Sequence, residues 1–167
     1  MPKKNTLPQK IAHVLSVYVK TQFVLIILVA FISWGMLSLL GVEYALLLSV
    51  LTGSASIVPI LGIVLTSLIA SIVAIFDATR FVPHLPVIVE GLVVLVLYGV
   101  LNVIVDYVLS PYIIGKSTKV NPFLILLAVL AGALLFGFVG ALLAVPALLV
   151  IKTIIEHQDR GSSRLSE

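Results

Sequence analysis

Three stretches of this chain run without a charged residue for longer than a water-soluble domain sustains: residues 21–40, 44–76 and 123–151. A fourth, 87–109, carries only Glu90 and Asp106. At 1.5 Å of rise per residue, a helix of about 20 residues spans roughly 30 Å, the thickness of one bilayer core. Composition points the same way, with 61% of residues hydrophobic and 10% charged. Soluble domains are about half apolar and a quarter charged, and they need polar surface that this chain does not have. In lipid every backbone donor and acceptor must be satisfied internally, which restricts a spanning chain to helices or a closed barrel. Apolar runs this long select the helix. The fold class expected is all-α, a polytopic membrane protein whose solvent is the lipid bilayer.

The runs differ in how they are interrupted. Residues 1–20 are amphipathic, with Ile11, Val14, Leu15 and Tyr18 at helical spacing, and read as a cytoplasmic leader. Residues 21–40 form a plain span. No small-residue cleavage site follows them, so a retained helix is expected rather than a signal peptide. Residues 44–76 are too long for one crossing and short for two. Gly53, Pro59 and Gly62 lie in the middle, where a proline removes a donor and bends the helix, and a hairpin is expected. Residues 87–109 are long enough to span. Residues 123–151, punctuated by Gly132, Gly137, Gly140 and Pro146, read as a second hairpin, with those glycines permitting close helix packing. The transmembrane domain then covers 21–157, and 158–167 form a polar, disordered cytoplasmic tail. Residues 47–53 (Leu-Leu-Ser-Val-Leu-Thr-Gly) echo 126–132 (Leu-Leu-Ala-Val-Leu-Ala-Gly). Paired broken helices of this kind mark substrate sites in transporters with internal repeats.

Charge sets the orientation. Lys3, Lys4, Lys10 and Lys20 precede the first span, Lys116 and Lys119 lie in the break after 109, and Lys152, Arg160 and Arg164 follow the last run. Placing all three groups in the cytoplasm leaves only Arg80 outside, with both termini inside. Six full crossings, or two crossings with both hairpins re-entrant, give the same sidedness. The net charge of +3 therefore encodes topology, and no nucleic-acid partner is expected.

Enzyme readings lack their parts. There is no cysteine, and His13, His84 and His157 all lie outside the apolar runs. No histidine stands beside a serine at membrane depth, no His-Glu-x-x-His zinc motif occurs, and no phosphate-binding glycine loop is present. No catalytic residue, metal site or cofactor is expected, and any work should draw on a gradient.

Ionisable and polar groups at depth are costly and so become candidates for a transport path. Tyr98, Asn102 and Asp106 repeat every four residues and make a polar stripe on one helix face. They would line a hydrophilic path, with Asp106 as an exchanging carboxylate or, alternatively, a helix cap. Glu90 lies about 160° round the helix from Asp106 and is expected at headgroup level. Ser54, Ser56, Pro59 and Gly62 supply hydroxyls and a bend whose freed backbone groups could line a cavity; ordinary small-residue packing is the alternative there.

An ordered set of short motifs resembles a known family. Gly41-Val42-Glu43 is followed by the turn Ile57-Val58-Pro59-Ile60-Leu61-Gly62. Asn102, Asp106, Pro111, Gly115 and Lys116 come next, then Asn121-Pro122, and finally Gly132, Gly137, Gly140 and Pro146. Over residues 12–157 this pattern is similar to the C-terminal half of the autoinducer-2 exporter family of bacterial and archaeal membrane proteins. The resemblance implies secondary transport, either export of a small polar solute such as autoinducer-2 or monovalent cation/proton antiport. It also implies a homo-oligomer in the cytoplasmic (inner) membrane. Pro59, Gly62, Asp106, Pro111, Gly115 and Pro122 fall on the family's motif positions. Asn121 stands where the family commonly has histidine, and the family pattern has a further hydrophobic half before this region. A non-transporting membrane scaffold or a truncated fragment are the remaining alternatives.

Overall fold

The computed structural model describes residues 6–59, 61–76, 86–109 and 121–162. All regular structure among them is helical: α1 Leu7–Leu39, α2 Ala45–Ala55, α3 Leu61–Phe76, α4 Val87–Ile104 running into a π-turn Val105–Leu109, and α5 Pro122–Ser162. Three of these stretches are long and apolar enough to cross a membrane: Leu7–Leu39, Val87–Ile104 and Phe123–His157. In each, only 28% of the most apolar window is buried, so most of it is left exposed or partly exposed. Outward-facing leucine and isoleucine on that scale require lipid. The chain is a multi-pass α-helical membrane protein.

Packing divides the chain into two units, one comprising Gln22–Lys116 and the other Met1–Thr21 with Ser117–Glu167. In the first unit, α1 buries Gln22, Leu25, Val29, Ser33 and Leu37, a stripe at spacings of three and four. It ends at Gly41, whose φ of 69° is the left-handed cap that glycine adopts without strain. Val42 N–H donates to Leu37 O at 3.0 Å and Gly41 N–H to Ser38 O at 3.1 Å. Val42 and Leu37, both buried, add the apolar contact that usually accompanies this cap.

α2 lies against α1 where Gly53 offers no side chain. A Cβ there would sit 2.6 Å from Ala30 Cβ and Ile26 O. α2 hands over to α3 through residues 56–60, and Gly62 is pressed on the Ala55 carbonyl. α3 packs on α4 through Gly91, at which a Cβ would meet Ile75 Cγ1 at 2.5 Å, and the Ser71 hydroxyl donates to Gly91 O at 2.7 Å. The core of the unit joins Val29 and Leu37, Leu48, Ile63, Ala70 and Ala74, and Val94, Tyr98, Leu101 and Val105.

In the other unit, α5 is a folded-back pair of helical arms. In a straight helix, residues 132 and 140 would stand about 12 Å apart. Here the backbones of Gly132 and Gly140 touch, because Gly137 takes φ 62° and ψ −145° and reverses the chain. Backbone torsions at Pro146 stay helical, so the break falls at Gly137 alone. Gly132 and Gly140 serve packing; Gly137, with open space around it, serves the turn. Asn121 starts α5 as its N-cap, accepting from Phe123 N–H at 2.9 Å through its side chain, with Pro122 behind it as the first helical residue.

Two boundaries differ from the sequence reading. The leader and first span are one continuous helix from Leu7 to Leu39. α5 runs past residue 158 to Ser162, where a disordered tail was expected. Pro8 falls in the first turn of α1, where a missing N–H costs nothing, and Gly161 falls at the very end of α5, so neither stops its helix earlier.

Candidate functional site

The polar interior of the Gln22–Lys116 unit centres on one phenol. Tyr98, fully buried on α4, places its hydroxyl 2.9 Å from Ser33 Oγ on α1 and 3.0 Å from Thr52 Oγ1 on α2. Thr52 donates in turn to Leu48 O at 2.7 Å. Three helices therefore meet on a chain of hydroxyls enclosed by Val29, Leu48, Val94 and Leu101. Because the Thr52 proton is committed to a carbonyl, which can only accept, the chain runs one way: Ser33 donates to Tyr98, and Tyr98 to Thr52.

Tyr98 follows from a regular pattern. The buried positions of α4 are Glu90, Gly91, Val94, Tyr98, Leu101 and Val105, a stripe at helical period. Glu90 belongs to that stripe. It is 1% exposed, and its Oε1 is buried without a hydrogen-bond partner among the described residues. The headgroup position expected for it came from its nearness to the helix start. Distance along the chain sets depth, but packing of α4 on the other helices decides burial. A carboxyl group so enclosed is costly to bury, and at membrane depth such groups call for a reason.

The Tyr98–Asn102–Asp106 stripe is only partly brought inside. Asn102 is half-buried, with Oδ1 enclosed and without a partner among the described residues. Asp106 lies in the π-turn Val105–Leu109, and its side chain falls outside the described residues. Pro111, Gly115 and Lys116 fall outside them as well. A π-turn is a rare i→i+5 irregularity that recurs at functional positions.

The bend between α2 and α3 uses its hydroxyls locally. Ser56 Oγ donates to Gly53 O at 2.6 Å, and Thr66 Oγ1 to Gly62 O at 2.9 Å. The Ser56 carbonyl accepts from Gln22 Nε2 at 2.9 Å. Pro59 O takes the Leu61 N–H at 2.7 Å. Ser54 is exposed. These contacts satisfy backbone groups that a bend in lipid would otherwise leave open.

Ser33 and Thr52 were not singled out from the sequence. Ser33 did carry a signal, as a hydroxyl in the middle of the plainest apolar run, but nothing in the run names its partner. Among the described residues, no group of three or more His, Cys, Asp or Glu side chains could hold a metal ion.

The described helices thus face lipid and, in the Gln22–Lys116 unit, enclose polar side chains along α4. Residues 2–160 match the AI-2E family transporter family, and the chain belongs to that family. It is 31% identical over 140 residues to "Putative transport protein YrrI" of Bacillus subtilis (strain 168), covering 84% of this chain and 37% of that protein. It is 26% identical over 155 residues to "AI-2 transport protein TqsA" of Escherichia coli (strain K12), covering 93% of this chain and 43% of that protein. The chain thus spans less than half the length of these curated relatives.

Proposed function

We propose that this chain is a subunit of a secondary transporter that exports a small polar solute; the relative TqsA is named an AI-2 transport protein. The observation that carries this reading is the buried side of α4. Glu90 offers an unpartnered carboxyl oxygen, and about two turns along the same helix Tyr98 joins the hydroxyls of Ser33 and Thr52. Polar groups enclosed in lipid-facing helices are retained where they line a path or exchange a proton. Asp106, Asn102, Ser54, Ser56, Pro59 and Gly62 complete the proposed path, on the strength of their sequence pattern. The distribution of lysine and arginine favours the cytoplasmic membrane with both termini inside, and the family resemblance favours a homo-oligomer.

A second reading, monovalent cation/proton antiport, is favoured specifically by Glu90. A buried carboxyl without a partner can trade a proton for a cation at one oxygen. Flux into proteoliposomes separates the readings. Glu90→Gln should lower proton-coupled flux by about tenfold or more while leaving the helices folded. Identical rates for wild type, Glu90→Gln and Asp106→Asn, with Na⁺, H⁺ and a small polyol, would remove both carboxylates from the mechanism. A well-folded protein that moves none of these solutes would leave a membrane scaffold as the reading.

A further inference from the structure

We infer that the junction between the start of α1 and the end of α5 is a binding site for a phosphate group, in the chemical setting of an anionic lipid headgroup. Lys10 Nζ stands 3.0 Å from His157 Nδ1. An ammonium has no lone pair, so the lysine donates and the imidazole nitrogen accepts. Among the described residues, no carboxylate lies within ion-pairing distance of Lys10. Among the described residues its ammonium has the imidazole as hydrogen-bond partner and no counter-ion. Beside the pair is a cavity of about 80 Å³ lined by Lys10, Thr153, Glu156 and His157, with room for a tetrahedral oxyanion.

The other lining groups can be assigned. Thr153 donates its hydroxyl proton to Leu149 O at 2.7 Å. Glu156 is paired with Lys152, at 3.7 Å on the next turn, which offsets the one negative charge at the cavity. Lys10 and His157, from two segments distant in sequence, therefore converge on one small space, with the remaining ammonium N–H groups and, since Nδ1 accepts, the imidazole Nε2–H as the donors.

The setting favours a lipid source. His157 lies six residues beyond Ile151, the last residue of the apolar run, or about 9 Å further along the helix. That is close to the depth of the headgroup layer. Ile151 and Ile155, one turn apart on the same end of α5, are 54% and 52% exposed and offer an apolar flank to an acyl chain. Basic pockets between helices at the membrane face bind acidic headgroups in this way. Nothing here depends on transport.

The test uses the full chain in detergent micelles, with lipid retention read by native mass spectrometry and thermal stability read in parallel. Phosphatidylglycerol, phosphatidylcholine and inorganic phosphate are supplied separately. Wild type should retain phosphatidylglycerol over phosphatidylcholine, and Lys10→Gln should weaken that retention about tenfold. His157→Gln should weaken it less. Glu156→Gln should strengthen it, a gain that misfolding cannot produce. Lys20→Gln, an exposed charge on α1 away from the cavity, should leave it unchanged. Stabilisation by inorganic phosphate without a preference for phosphatidylglycerol would keep the phosphate site but make its source soluble. Equal losses for Lys10→Gln and Lys20→Gln would reduce the effect to diffuse surface charge and overturn the site. Failure of both phosphatidylglycerol and phosphate to bind would also overturn it.

Discussion

The turn between α2 and α3 and the turn inside α5 both interrupt long uncharged stretches, but they are built from different chemistry. Around the α2–α3 turn, Thr52, Ser56 and Thr66 each cover a backbone carbonyl of their own helix, and Gln22 covers another. Residues 123–151 contain no serine or threonine, and the reversal at Gly137 rests on glycine alone. Its flanks are apolar and outward: Leu134 is 87% exposed, Phe136 75% and Phe138 71%. At the first turn proline removes a donor and bends the chain, and hydroxyls supply partners for the freed carbonyls. Glycines do it by letting two backbones touch. The first kind of turn brings polar atoms into the bundle, and in this chain it adjoins the Tyr98 thread. The second brings none, and its tip must meet lipid or another apolar surface.

That contrast can be broken experimentally at either turn. Gly140→Val should have the largest effect, because its side chain would enter the Gly132 carbonyl and force the two arms apart. A loss of about 3 kcal/mol is expected in urea or dodecyl sulfate unfolding of the purified protein in micelles. A cost near zero would mean that the arms do not pack back to back. Tyr98→Phe keeps the ring and removes the hydroxyl that joins Ser33 to Thr52, and should lower stability by about 1 kcal/mol. If the polar thread lines a path, the same variant should also alter flux; an unchanged flux with the stability loss would make Tyr98 a structural pin only. Ser54→Ala should be the mildest. The residue is exposed at the end of α2, and its removal should shift stability by less than about 0.5 kcal/mol. A larger loss there would show that the hydroxyls of this turn act together and not each on its own carbonyl.

The membrane, the helices and the family were legible from residue order, because hydropathy over about 20 residues and the spacing of glycine and proline are local properties. Tyr98 could be picked out because a phenol in an apolar run is conspicuous. Its partners could not, since Ser33 and Thr52 lie 65 and 46 residues away from it. Glu90 shows the same limit. Sequence position suggested an interfacial carboxylate; the packing of α4 enclosed it with one oxygen unpaired. The glycines of α5 were assigned to packing as a group, and only the backbone torsions separate Gly137, which turns the chain, from Gly132 and Gly140, which touch.

What the sequence determined by itself is the solvent: long uncharged runs must sit in lipid, and a chain in lipid must be helical because no water is present to satisfy its backbone. Which side chains end up facing one another was decided only by the tertiary structure. A hydroxyl, a phenol or a carboxyl reads the same in a run of leucines whether it meets lipid, a carbonyl of its own helix or a partner on another. The packing of α1, α2 and α4 gave Tyr98 two hydroxyl partners and left Glu90 with an open oxygen, because contacts between helices depend on crossing and register that residue order does not display.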